Sequence, residues 1–142
     1  IAGRTRDVSF NHYRIIIEKL KLSKRILPII RYITNEERNL MFSIADIVVL
    51  PYHQVYQSGV LLMAMSYGVP VVTSDLPANK IMIDDKNGIL FKAGDSSDLT
   101  VKINLLISDE EKRKSISECA KEYVTINNNW EIIGDTFINV LA

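Results

Sequence analysis

Residues 45–75 read ADIVVLPYHQVYQSGVLLMAMSYGVPVVTSD, and the fold is decided there. Ile47-Val48-Val49-Leu50 is an apolar run without alternation, as suits a parallel strand buried on both faces. Asp46 stands at its entry as a cap or orienting group. A polar loop, 51–57, leads to Ser58-Gly59, which opens a nearly all-apolar helix over 60–67 that is expected to be buried on every side. Gly68 is a natural C-terminal cap for that helix. A second buried strand follows over 69–73, with Pro70 near its entry. Strand, loop, helix and strand in this order make a βαβ unit.

The pattern extends both ways. Upstream, Phe10, Tyr13, Ile16, Ile17 and Leu20 recur at helical spacing and predict a helix over 9–22. The apolar run 26–32, with Pro28 near its start, predicts a strand. Thr34 and Glu37 form a capping box for a helix through 45. Downstream, Asn87-Gly88 signals a turn before a strand at 89–91. The loop 94–97 caps a helix carrying Leu99, Ile103 and Leu106. Asp109 caps another helix to about residue 124, residues 127–129 break it, and Trp130 starts a last one. Alternation of this kind predicts an α/β fold: one Rossmann-like, three-layer domain over 1–142, its sheet mostly parallel and covered by helices on both faces. Ligands in such folds sit at the carboxyl ends of the strands, which points to the loops after Leu50 and Thr73.

Composition narrows the function classes. The 142 residues carry 17 basic and 17 acidic side chains, a net charge of zero that gives no reason to expect nucleic acid or an anionic membrane as partner. Lys19, Lys21, Lys24 and Arg25 make a local basic stretch that reads as a solvated face. One cysteine, Cys119, excludes an intrachain disulfide, and its helical setting beside Ala120 suggests a small buried residue. No apolar run reaches the roughly 18 residues of a membrane span. Ile1-Ala2-Gly3 reads as the end of a strand entering a glycine turn, without an initiator methionine, so the sequence is expected to be part of a longer chain.

Ser58-Gly59 is the main candidate site. The first amides of a helix have no intrahelical acceptor, and with the helix dipole they form an anion site. Gly59 lacks a Cβ that would bar an anion, and Ser58 can cap the helix or bond a phosphate oxygen. The same residues also serve a plain N-cap and a close packing contact, and neither the P-loop nor the dinucleotide fingerprint is present. Among other candidates, His53 lies in the loop after Pro51-Tyr52. His12 has no partner at metal-ligand spacing, and Asp84-Asp85 before Asn87-Gly88 reads as a turn. No metal or cofactor is expected.

The ordered pieces 45–51, 64–72, Ser74-Asp75, 87–91, Gly94-Asp95 and Trp130 resemble the C-terminal domain of group 1, GT-B-fold glycosyltransferases over nearly the whole chain. That resemblance implies half of a GT-B fold that holds a nucleoside diphosphate sugar, the acceptor being held by an N-terminal half of the same chain. It implies retaining transfer of a hexose to a saccharide or lipid-linked acceptor, as in polysaccharide or glycoconjugate biosynthesis. Carried over, Ser58-Gly59 with Gln57 and Val60 would hold the diphosphate. Tyr32 and Ile33 would lie near the nucleobase, and the loop with His53 and Tyr56 near the donor sugar. Arg4 and Arg6 would face the pyrophosphate. Two family glutamates fall on Val55 and Met63, a third falls near Lys80, and Pro77-Ala78-Asn79 replaces a Gly-Gly pair. Gln57-Ser58-Gly59 resembles a branch of the family that also lacks the glutamate pair. The expected compartment is the cytoplasm, with peripheral attachment to the inner face of a membrane as the variant. The rival readings are a non-catalytic binding or scaffold module and another GT-B-like enzyme such as a sugar-nucleotide epimerase. Without its N-terminal partner, the last helix would expose Ile132, Ile133, Phe137 and Val140.

Overall fold

The computed structural model describes residues 1–4, 9–129, 134 and 137–139. The chain divides into two compact units, Ile1–Met41 and Phe42–Ala142. In the first, helix α1 spans Asn11–Lys19, shorter at both ends than the predicted 9–22. Its C-cap amide bonds back to the Ile16 and Glu18 carbonyls, and Lys21 takes a left-handed φ of 56°, which closes the helix early. The expected strand over 26–32 is reduced to one parallel bridge, Ala2 with Ile29. Pro28 lacks an amide hydrogen to extend that ladder. The capping box forms as read: the Glu37 amide donates to Thr34 Oγ1 at 3.3 Å and the Thr34 amide to Glu37 Oε2 at 3.0 Å. It opens helix α2, Asn35–Ile44.

The second unit contains strand β1 (Val48–Leu50), helix α3 (Gly59–Tyr67) and strand β2 (Val71–Ser74). Then follow the one-turn helix α4 (Pro77–Lys80), strand β3 (Ile89–Phe91), and helices α5 (Ser96–Ser108) and α6 (Glu110–Asn127). The three strands pair in parallel in the order β1-β2-β3, with Val49 opposite Val72 and Val72 opposite Ile89. Strand β2 is central and buried throughout, and its alternating side chains feed two cores. Val71 packs with Leu50, Leu61, Ala64, Met65, Ile83 and Ala120. Val72 packs with Ile89, Phe91, Leu106 and Ile116 on the opposite face. Helix α3 thus covers one face and α5 the other, the layered α/β arrangement expected. Helix α6 contributes Ile116 to one cluster and Ala120 to the other.

Several sequence expectations need correction. Helix α3 is not buried all round: Leu61, Ala64 and Met65 are buried, whereas Gly59, Val60, Ser66 and Tyr67 are exposed. Its apolar composition exceeds what one packing face uses. The second strand starts at Val71 rather than at 69, because Val69 and Pro70 are spent on the Gly68 turn, where the Val69 amide bonds the Ala64 carbonyl. Helix α6 continues past residue 124 to Asn127. Helix α4 was not read from the sequence; Pro77 at its first turn starts it. Cys119 is half-buried rather than fully buried. Trp130, Ile132, Ile133, Val140 and Arg6 lie outside the described residues, while Phe137 is exposed.

Candidate functional site

The carboxyl ends of β1 and β2 are joined by a buried polar lattice. Thr73 Oγ1 donates to the Leu50 carbonyl at 3.2 Å, and Ser74 Oγ to the Tyr52 carbonyl at 2.7 Å. Asn79, 1% exposed on α4, donates through Nδ2 to Thr73 Oγ1 at 2.9 Å and to the Ser74 carbonyl at 2.8 Å. Thr73, Ser74 and Asn79 are out of water, and each has a partner, as buried polar groups require. The lattice therefore fixes the start of the 51–58 loop.

That loop ends at Ser58, which is buried and extended, with φ −127° and ψ 100°. Its Oγ accepts the Leu61 amide at 3.2 Å and lies 3.0 Å from the Tyr52 hydroxyl. Ser58 is thus the N-cap of α3. Among the described residues no protein acceptor engages the amides of Gly59 and Val60, the first two of the helix. A Cβ built on Gly59 meets no atom within 4 Å, and Gly59 does not have a left-handed φ. Neither backbone conformation nor protein packing demands glycine there. By contrast, Gly68 has φ 68°, and a Cβ on it would strike the Lys121 and Ser117 side chains.

Of the sequence-derived candidates, His53, Tyr56, Gln57, Ser58, Gly59 and Val60 lie on this one loop and helix start. Tyr56 is 95% exposed, Gln57 and Val60 are exposed, and His53 lines a shallow cleft of about 170 Å³ with Pro51, Phe91, Gly94, Asp95, Ser96 and Leu99. Arg4, Tyr32 and Ile33 belong to the other compact unit: Arg4 and Tyr32 are exposed and Ile33 is half-buried. The Tyr32 carbonyl accepts Arg31 Nη1 at 3.0 Å. The sequence marks Ser74 and Asn79 only as pieces of the family pattern and Tyr52 only as part of the loop, with no sign of the hydrogen bonds they make. The signal was present in Thr73-Ser74, two hydroxyls ending an otherwise apolar strand.

The loop after β2 carries its own ion pair, Lys80 Nζ to Asp75 Oδ2 at 3.2 Å. Asp75 Oδ1 also accepts the Ala93 amide at 2.9 Å, which ties the loop after β2 to the loop after β3. The Ala93 amide first, and then Lys80, hold the Asp75 carboxyl below its ordinary pKa. Asp84 Oδ1 accepts the Lys86 and Asn87 amides, so Asp84-Asp85 is a turn as read. Among the described residues no three His, Cys, Asp or Glu side chains gather at metal-binding distance, and no helix is long and apolar enough to cross a membrane.

The sequence and the fold match known proteins. Residues 1–123 match the family described as glycosyl transferases group 1. A sulfoquinovosyl transferase of Arabidopsis thaliana is 32% identical over 91 residues, 61% of this chain and 18% of that protein. The C-terminal domain of a group 1 family glycosyl transferase, LpcC, from Francisella tularensis superposes with a TM-score of 0.77 at 27% identity, over 88% of this chain and 65% of that one. Anabaena HepE, solved in complex with UDP-glucose, gives a TM-score of 0.84 at 20% identity, over 99% of this chain and 39% of that one. The chain spans about a fifth of the length of the curated relatives it matches, between 18% and 23%. With the match covering most of its residues and the β1-α3-β2 unit in place, this chain belongs to the group 1 glycosyltransferases.

Proposed function

We propose that residues 1–142 form one donor-binding domain, in which the Ser58-Gly59 start of α3 holds the diphosphate of a nucleoside diphosphate sugar. The observation that carries this reading is the helix start: the amides of Gly59 and Val60 have no protein acceptor among the described residues, and the room a side chain on Gly59 would fill is empty. An anion fits that space, and the amides offset negative charge as the diphosphate leaves. HepE, with the same fold, binds UDP-glucose, which supports a donor of that class. The full reaction is then retaining transfer of a hexose to a saccharide or lipid-linked acceptor, in a cleft completed by an N-terminal half of the chain. Backbone amides do the charge work, so no metal or cofactor is required. His53 and Tyr56 take the sugar side, and Gln57 stays with Ser58-Gly59 at the diphosphate. The place of action is the cytoplasm or the inner face of a membrane.

One observation favours the second reading, a module that has lost donor binding. Met63 and Val55 stand where the family pattern has glutamates, and neither side chain accepts a ribose hydroxyl as a carboxylate does. Titration with uridine and guanosine diphosphates, followed by amide shifts or melting temperature, separates the two. Binding by the wild type, lost by at least tenfold in Gly59→Val with an unchanged apo melting temperature, is the expected result. No response at millimolar nucleotide, or equal binding by the variant, overturns the donor-site reading.

A further inference from the structure

We propose that the Tyr52 hydroxyl is a positioning group that converts Ser58 from a helix cap into a hydrogen-bond donor to the donor diphosphate; this rests on the reading of Ser58-Gly59 given above. A serine hydroxyl has one proton and two lone pairs. At Ser58 the Leu61 amide occupies one lone pair, at 3.2 Å. The Tyr52 hydroxyl is 3.0 Å away, with either oxygen able to donate. An acceptor placed over the Gly59 and Val60 amides decides that direction. The phenol proton then fills the second lone pair of Ser58, and the serine proton turns outward to the incoming oxygen. Ser58 thereby makes three bonds with nothing left unpaired. It is only 9% exposed, so water competes weakly for the same sites.

Tyr52 is itself held. Its amide donates to the Leu50 carbonyl at 2.9 Å, and its carbonyl accepts Ser74 Oγ at 2.7 Å. Ser74 is fully buried, and its own carbonyl accepts Asn79 Nδ2. The phenol therefore reaches Ser58 from a rigid lattice, while the ring of Tyr52 packs against the α3 core cluster. A phenylalanine would keep that packing and lose only the hydrogen-bond relay.

The test compares wild type, Tyr52→Phe, Ser58→Ala and the double variant. Each is titrated with the nucleoside, its monophosphate and its diphosphate, in the uridine or guanosine series that binds the wild type. Tyr52→Phe should weaken the diphosphate by about 3- to 10-fold, the worth of one neutral hydrogen bond, and leave the nucleoside unchanged. Ser58→Ala should weaken it at least as much, and the double variant no further than Ser58→Ala, since Tyr52 acts only through Ser58. Wild-type affinity in Tyr52→Phe, equal weakening of nucleoside and diphosphate, or additive single effects overturns the relay. If Tyr52→Phe does not fold, Ser58→Gly serves, because glycine is tolerated at an N-cap; unchanged diphosphate affinity there overturns the relay as well. Wild-type binding that Gly59→Val abolishes and Tyr52→Phe spares removes the relay alone. A wild type that binds no nucleoside diphosphate removes the site and the relay together.

Discussion

Two glycines at the two ends of one helix differ in what constrains them. Gly68 ends α3 in the left-handed region, with its amide on the Met65 carbonyl and Ser117 Oγ donating to its own carbonyl at 2.6 Å. Gly68→Ala should lower stability by about 1–3 kcal/mol, through the unfavourable φ and the crowding by α6, measured as a fall in melting temperature. Gly59 has neither constraint. Gly59→Ala should leave the melting temperature unchanged or raise stability by up to about 1 kcal/mol while weakening nucleoside diphosphates. A loss of stability there would assign Gly59 to folding instead. Asn79→Ala should cost about 1–3 kcal/mol, because the Thr73 hydroxyl and the Ser74 carbonyl each lose a buried hydrogen bond, the carbonyl keeping only the Leu76 amide. Gly68 was readable from its place after an apolar helix. Asn79 was not, since an asparagine following Pro-Ala looks like loop until its burial is known.

At the scale of elements, the caps follow sequence chemistry closely. Thr34 with Glu37, Ser58, Asp95 and Asp109 each bond an amide in the first turn of the next helix. Glu37 also receives the Arg31 guanidinium, which holds its carboxyl down to about 2, with the Thr34 amide adding to the effect. That folded value lies below the ordinary 4.5, so the ionised form is the one the fold favours. The associated stability is complete above about pH 4.5 and is lost as pH falls toward 2. Acid titration of helical circular dichroism should show a loss in that window, and Glu37→Gln should reduce it. Asp75 follows the same sign: its depressed carboxyl stabilises the tie to Ala93 above the ordinary carboxylate value and releases it on acidification. Within α3, Leu61 is wholly buried in the cluster with Leu50 of β1 and Val71 of β2, so Leu61→Ala should cost about 2–5 kcal/mol. Strand ends were less legible than caps: the run 26–32 has strand composition, but pairing needs a partner ladder that local sequence does not specify.

For the whole molecule, ligand linkage gives the broadest check. A nucleoside diphosphate that binds only the folded state should stabilise it by about 2.7 kcal/mol at a hundredfold excess over Kd. The melting temperature should therefore rise with the logarithm of ligand concentration, and a flat response would speak for the module that has lost donor binding. What the sequence by itself determined was the βαβ order, the parallel sheet, the helix caps and the family. These depend on period, turn chemistry and motif spacing, which are local. Only the tertiary structure decided which face of α3 is buried, that Tyr52 reaches Ser58, and that Thr73, Ser74 and Asn79 share one buried lattice. Those facts are set by strands and helices far apart in the chain meeting at one sheet end. The same is true of the empty space at Gly59, since the room beside a backbone atom depends on every segment that does not pass there.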